Sequence, residues 1–244
     1  MTRIGVVALA ATVSLNAYAL DAGDLAFTAF NADEDGWSVV ALADLAPGTT
    51  IFFSEQAWDG SLGTFVGGEA SYTWTLGSGL AGGTVVRFSD INRSTRSASE
   101  GSFEASGSAS LSVSGESLFA FVGLDAAAPT TFLSALSTEA FVGGQLEGTG
   151  LELGVNAVVF DDGTDYAEYV GPRSGLTGLR GYGSLLADNA LWRVEPTGDF
   201  ATTAPDLSPF VATPVPEPEL ASLMLAGLGL VGVAARRKGR AGRA

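Results

Sequence analysis

The chain of 244 residues contains no histidine and no cysteine. Without histidine there is no Ser-His-Asp or Cys-His catalysis, no histidine-zinc site and no histidine general base. Without cysteine there are no disulfides, thiolate nucleophiles or iron–sulfur ligands. Any folded domain in this chain is therefore held by its core alone. Basic residues are also scarce: 12 Lys and Arg stand against 27 Asp and Glu, a net charge of −15. One of the twelve is Arg3, and Arg236, Arg237, Lys238, Arg240 and Arg243 crowd the C-terminal end. Between residues 20 and 214 six arginines face twenty-five acids, a net charge of −19. Nucleic acid is excluded as a partner, because binding it depends on basic groups releasing counterions from phosphates. An acidic surface of this kind serves solubility, repulsion from anionic lipid and polysaccharide, or capture of a divalent cation.

What is present is most specific at the two ends. Arg3 forms a minimal positive n-region, Ile4 to Leu15 an apolar h-region, and Ala17-Tyr18-Ala19 a small-x-small cleavage site. Together these predict a secretory signal peptide over residues 1–19. At the other end Val215-Pro216-Glu217-Pro218 precedes an apolar run from Leu220 to Ala235, closed by Arg236, Arg237, Lys238 and Arg240. The prolines hold an extended segment, since each fixes φ and biases its predecessor away from the α region. The apolar run reads as a short transmembrane helix of about 24 Å, less than the ~30 Å hydrocarbon core, so it spans only with thinning or snorkelling. The basic cluster keeps its own side cytoplasmic and places everything before Val215 outside.

In this order of elements the tail resembles the PEP-CTERM sorting signal of Gram-negative bacteria. The resemblance implies recognition by an exosortase, with Val215, Pro216, Glu217 and Pro218 as the sorting motif, the apolar helix as a transient anchor and Arg236, Arg237, Lys238 and Arg240 as the orientation signal. It also implies a place among proteins of the exopolysaccharide and biofilm matrix. The alternative is an ordinary C-terminal membrane anchor, which has no need of Pro-Glu-Pro at that spacing.

The exported part predicts an all-β domain over residues 20–200, from 33 glycines in the whole chain and short β-branched or aromatic runs between turn clusters. Strands are expected at 25–30, 37–42, 50–54, 71–76, 84–89, 111–113, 118–122 and 157–160, with a further candidate at 151–155. Ser71 to Leu76 alternates cleanly, which puts Tyr72, Trp74 and Leu76 on one buried face. Ser94 to Gly115 is Ser/Gly/Ala-rich and reads as a long loop. Ser184 to Trp192 is the helix candidate. The prolines from residue 201 to residue 214 predict a stiff, extended tether beyond the folded domain.

One internal echo runs at an offset of 35. Leu45-Ala46-Pro47-Gly48-Thr49-Thr50-Ile51-Phe52-Phe53-Ser54-Glu55 aligns with Leu80-Ala81-Gly82-Gly83-Thr84-Val85-Val86-Arg87-Phe88-Ser89-Asp90, and the same offset pairs Trp37 with Tyr72. It reads as two similar turn-strand units. From Gly23-Asp24-Leu25-Ala26-Phe27 through Leu45 to Phe53 and Trp58, the chain also resembles a group of secreted bacterial proteins laid out like a lamin-tail-type, immunoglobulin-like sandwich. That resemblance covers roughly Gly23 to Phe160 and implies a β-sandwich without an activity.

Three kinds of chemistry are open. Asn31, Asp33 and Asp35, followed by Gly36, present oxygens at alternate positions like the opening of a calcium loop, but the twelfth position is Leu42 instead of a bidentate glutamate. The competing reading is an Asx-type turn, and Asp161-Asp162-Gly163-Thr164-Asp165 is a second acidic turn of the same kind. Trp37 or Trp58, if exposed, would suit stacking on a sugar. Paired carboxylates would permit glycoside hydrolysis. The expectation drawn from the whole is a non-enzymatic structural or adhesive protein of the cell surface or exopolysaccharide matrix. The alternatives are a carbohydrate- or calcium-binding module and a polysaccharide hydrolase.

Overall fold

A computed structural model describes residues 19–213. The sorting motif, the apolar run, the basic cluster and all but the last residue of the signal peptide lie outside them. The strands are β1 (Leu25–Asn31), β2 (Gly36–Ala41), β3 (Thr50–Ser54), β4 (Ala57–Asp59), β5 (Thr64–Val66), β6 (Ser71–Thr75), β7 (Val85–Ser89), β8 (Ser97–Ala98), β9 (Ser102–Ser106), β10 (Ser117–Gly123), β11 (Pro129–Ser137), β12 (Ala157–Val159), β13 (Tyr166–Tyr169) and β14 (Trp192–Glu195). They build an all-β sandwich from two six-stranded sheets, ordered β14-β13-β1-β2-β7-β8 and β12-β11-β10-β3-β6-β9, with β4-β5 as a separate hairpin. Every ladder among these strands is antiparallel except β11 with β12.

The sheets meet on an aromatic core. Trp37 lies within 6 Å of Phe53, Tyr72, Phe88 and Phe103 by ring centroid, so side chains from both sheets interdigitate around it. The middle of the second sheet, at β3, β10 and β11, is buried on both faces. Along β10, Leu118 and Ala120 enter this core while Phe119 and Phe121 point the other way. There they join Phe52, Trp58, Phe132, Phe141 and Leu151 in a second cluster, roofed by the β4-β5 hairpin and the 139–156 segment. Trp58 Nε1 donates to the Glu147 carbonyl at 2.9 Å, tying the hairpin to that segment. A strand covered on both sides reads as a continuous apolar run, which is why Leu118 to Val122 shows no alternation.

The 35-residue echo is a local two-fold in the structure. Leu45 and Leu80 exchange both backbone hydrogen bonds, at 2.8 and 2.9 Å. Gly48 N–H donates to Leu76 O as Gly83 N–H donates to Ala41 O, and Leu76 N–H bonds Thr49 O as Ala41 N–H bonds Thr84 O. The registers obey the same offset: Trp37 faces Phe88 as Tyr72 faces Phe53, and Val39 faces Val86 as Trp74 faces Ile51. Each unit sends its first strand into one sheet and its second into the other, so the two arches interlock at the Leu45–Leu80 pair. Gly48 (φ 81°) and Gly83 (φ 88°) supply the left-handed turn that both arches need.

Several expectations are corrected. Leu111–Val113 is irregular; the Ser/Gly-rich stretch holds β8 and β9 instead, where Phe103 enters the core with Ala98 and Ala105 packed beside it, and Ser102, Glu104 and Ser106 face solvent. A short, polar, charged edge is what protects a sheet margin from pairing with another chain. Residues 151–155 form no strand, since Gly150 and Gly154 take φ near 75° and only an isolated bridge joins Leu153 to Ala157. The helix candidate shrinks to α1 (Gly183–Leu186) and a 3₁₀ turn at Asn189–Leu191, and Trp192 opens β14. Residues 201–213 are extended but are no free tether. They are docked along the sandwich, so the folded unit runs on past residue 200 to at least Thr213.

Candidate functional site

The strands place two unlike surfaces at opposite ends of the sandwich. At the end where the 42–49 and 77–84 turns lie, the chain leaves the fold through a clasp. Phe210 is buried, packed on Tyr182 (5.2 Å) and Tyr169 (5.8 Å), with the Arg173 guanidinium 4.9 Å above its ring. Its N–H donates to Gly83 O at 2.8 Å, Val211 N–H to Arg173 O at 2.8 Å and Thr213 N–H to Leu176 O at 2.7 Å. Tyr182 hydroxyl donates to Val211 O at 3.0 Å, and Arg173 Nη1 to Ser208 O at 2.8 Å. A Cβ on Gly83 would lie 2.1 Å from Phe210 O, so only glycine lets the clasp close; Gly48, its partner in the echo, has open space. Further back, Phe200 stacks on Tyr166 at 4.9 Å and Asp206 N–H donates to Glu168 Oε1 at 2.7 Å.

The opposite end gathers acids from many turns: Asp33, Glu34 and Asp35 between β1 and β2, Glu55 and Glu69 beside the β4-β5 hairpin, Asp90 after β7, Glu116 before β10, Glu139 after β11, and Asp161, Asp162 and Asp165 before β13. Two are nearly inaccessible, Glu55 at 2% and Glu116 at 4%. Glu55 accepts the Tyr72 hydroxyl and, at 3.3 Å, the Ala70 N–H. Burial outweighs those bonds and pushes its carboxyl up to about 7. Glu116 accepts the Ser112 N–H at 2.8 Å. Burial lifts it to about 8, with the nearby charges of Glu55 and Glu69 adding to the rise. The same surroundings raise the Tyr72 phenol, first by burial and then by the Glu55 charge. Burial disfavours the charged forms of these groups, and no salt bridge joins Glu55 or Glu116 to a cation among the described residues.

The proposed calcium ligands do not converge. Asn31 donates to Phe200 O (2.9 Å) and its Oδ1 accepts Glu34 N–H; Asp33 turns to the Phe200 N–H (2.7 Å); Asp35 turns the other way, accepting the Leu111 N–H (2.7 Å) and Asn92 Nδ2. Asn31 and Asp33 thus fasten the β1-β2 turn to Phe200, and Asp35 fastens it to the Asn92 and Leu111 side. Among the described residues no group of three acids is placed to hold a metal ion. In the second acidic turn Thr164 hydroxyl caps Asp161 O, and Gly163 takes φ 87°. Neither Trp37 nor Trp58 is exposed, so the sugar-stacking platform is corrected: both rings are core.

Beside the buried acids an open cleft of about 560 Å³ is lined by Ser114, Gly115, Thr138, Glu139, Ala140, Val142, Phe160, Asp161 and Asp162. Its wall contains Ala140 and Phe141 in succession at φ 68° and 50°, a conformation costing roughly 1–3 kcal/mol per non-glycine residue. That bend drops the Phe141 ring into the second core and leaves Glu139 facing the cleft. Glu139 Oε1 accepts from Gln145 Nε2 at 3.1 Å, and Ser117 hydroxyl donates to Gln145 Oε1 at 2.9 Å. Glu55 and Glu116 do not line this cleft. The buried acids and the clasp were both missed by sequence reasoning. For Glu55 the signal was its place closing the first echo unit, directly after a buried strand.

The clasp ends where the family comparison begins. Residues 214–238 match the model of the PEP-CTERM protein-sorting motif. The chain carries a PEP-CTERM sorting motif. It is an exosortase-targeted secreted protein, directed to export and the cell surface. No curated protein and no solved structure matches the chain. No helix among the described residues is long and apolar enough to cross a membrane, and the apolar run from Leu220 lies beyond them.

Proposed function

We propose that this protein is a non-enzymatic structural or adhesive component of the cell surface or exopolysaccharide matrix, released from a transient inner-membrane anchor by an exosortase. In this reading residues 1–19 are a cleaved signal peptide, Leu220 to Ala235 is the anchor, and Pro216, Glu217 and Pro218 are the recognised element. The lamin-tail-like layout of the sandwich belongs to the same reading and rests on the sequence resemblance. The observation that carries the proposal is the match at residues 214–238 placed directly behind a folded, acidic β-sandwich.

The chemistry of the sandwich supports a structural role. With no histidine or cysteine, catalysis would fall to carboxylates, and Glu55 and Glu116 are spent on internal hydrogen bonds away from the open cleft. Such groups stabilise a fold without presenting themselves to a substrate. A second reading, a carbohydrate-binding module, is favoured by the cleft itself, whose Glu139, Asp161 and Asp162 alternate with Ser114 and Thr138 as hydrogen-bonding groups for sugar hydroxyls.

Replacing Pro216 and Pro218 by alanine tests the first reading. The full-length species should accumulate in the inner membrane, and unchanged processing rejects the assignment. Retention of the mature protein on a glycan array, lost on Asp161→Ala with Asp162→Ala, would decide for the second.

A further inference from the structure

We infer that the clasp end of the sandwich faces the bilayer while the chain is anchored, with the acid end directed away from it. The inference rests on the reading of Leu220 to Ala235 as the membrane segment. One observation carries it.

That observation is the length of the link. Thr213 is hydrogen-bonded to Leu176, so the fold holds the chain up to that residue. Six residues, 214–219, remain before Leu220, and fully extended they reach about 20 Å. A compact domain of this size is roughly 40 Å across. The acid end therefore cannot turn to meet the bilayer without lifting the exit point farther than the link allows. Had residues 201–213 been a free tether, the reach would have been about three times as long and the domain free to tumble.

The wall around the exit is built from residues 170–187 and 207–213, with Val170 and Val211 exposed at 61% and 53%. Its two guanidiniums are already paired, Arg173 with Asp206 and Arg180 with Asp24 and Asp21, so the orientation is set by the link and not by charge.

The absence of cysteine makes the test direct. Full-length Ser174→Cys and Ser94→Cys chains, each carrying one nitroxide, are reconstituted in vesicles of phosphatidylethanolamine and phosphatidylglycerol containing a gadolinium-chelating lipid. Residue 174 lies on the clasp wall and residue 94 at the acid end, and both are exposed. Relaxation by the lipid-borne gadolinium should be several-fold stronger at 174 than at 94. A flexible Gly/Ser insert of about twenty residues after Thr213 should abolish the contrast. Equal or reversed relaxation in protein that floats with the vesicles overturns the orientation and leaves the anchor reading intact. A contrast that survives the insert overturns the length argument. Dipolar coupling between labels at 174 on two chains assigns the wall to a second copy and overturns the inference, and failure to float overturns the anchor and the orientation together.

Discussion

At the end where the chain leaves the sandwich, an aromatic side chain from the last extended segment is pressed into the core and fastened by backbone hydrogen bonds. At the opposite end, the Glu55 and Glu116 carboxyls from separate turns are folded over the core, where burial favours their protonated forms. The first closure gains from burying Phe210, an apolar contribution with no titrating group of its own. The second places Glu55 and Glu116 where their charged forms are disfavoured, so its strength depends on their staying protonated. The same pseudo-two-fold pair of arches runs between the ends. The difference therefore comes from what each end recruits from elsewhere in the chain: residues 205–213 at one, Leu111 to Glu116 at the other.

Experiments that remove one closure at a time would sharpen this contrast. The largest effect is expected for Phe210→Ala, about 3–5 kcal/mol by analogy with other buried phenylalanines, at acid and neutral pH alike. Thermal or denaturant unfolding measures it, and proteolysis within 201–213 should rise in parallel. Next is the pH response of the acid end. Glu55 binds its proton more tightly folded (about 7) than unfolded (4.5), so its stabilisation is complete below pH 4.5 and is lost as pH rises through about 7. The loss is roughly 3 kcal/mol for Glu55, and Glu116 extends the decline toward pH 8. Glu55→Gln should flatten the lower part of that slope; a stability that climbs between pH 5 and 8 in the unmutated protein would refute this account of the end.

Smaller effects separate the two echo units. Gly48→Ala meets open space and should cost about 1–2 kcal/mol for its left-handed backbone alone, whereas Gly83→Ala drives a methyl into Phe210 O and should approach the cost of losing the clasp. Equal costs at the two glycines would dissolve the distinction. The smallest effect is expected from calcium. Asn31 and Asp33 are already bonded to Phe200 and Asp35 to Leu111 on another side, so a chelator should leave the melting temperature unchanged.

Much of the central sandwich was legible in the sequence because its strands carry their own pattern. Thr50–Ser54 and Ser71–Thr75 are dense in β-branched and aromatic residues, and the echo between them set both arches. The longest strand, Pro129–Ser137, was not legible. Its PTTFLSALS breaks alternation at a bulge, where Phe132 faces the second core, Leu133 the first, and Ser134 reaches Asn156 O. The edge strands Ser97–Ala98 and Ser102–Ser106 hid in low complexity, because apart from Phe103 their residues are small or polar.

By itself the sequence determined that the chemistry of histidine and cysteine is absent, that the exported part is acidic and rich in strands, and that residues 214–238 form a sorting motif, since each of these depends on which residues are present and in what order. Only the tertiary structure decided where the acids go and where the domain stops. The carboxyls of Glu55 and Glu116 became buried because two strands distant in sequence close over the same end of the core. The proline-rich segment became a clasp because Gly83, Arg173 and Tyr182 stand together only after the sandwich has formed. Burial and partnership belong to the assembled neighbourhood, and no local run of residues carries them.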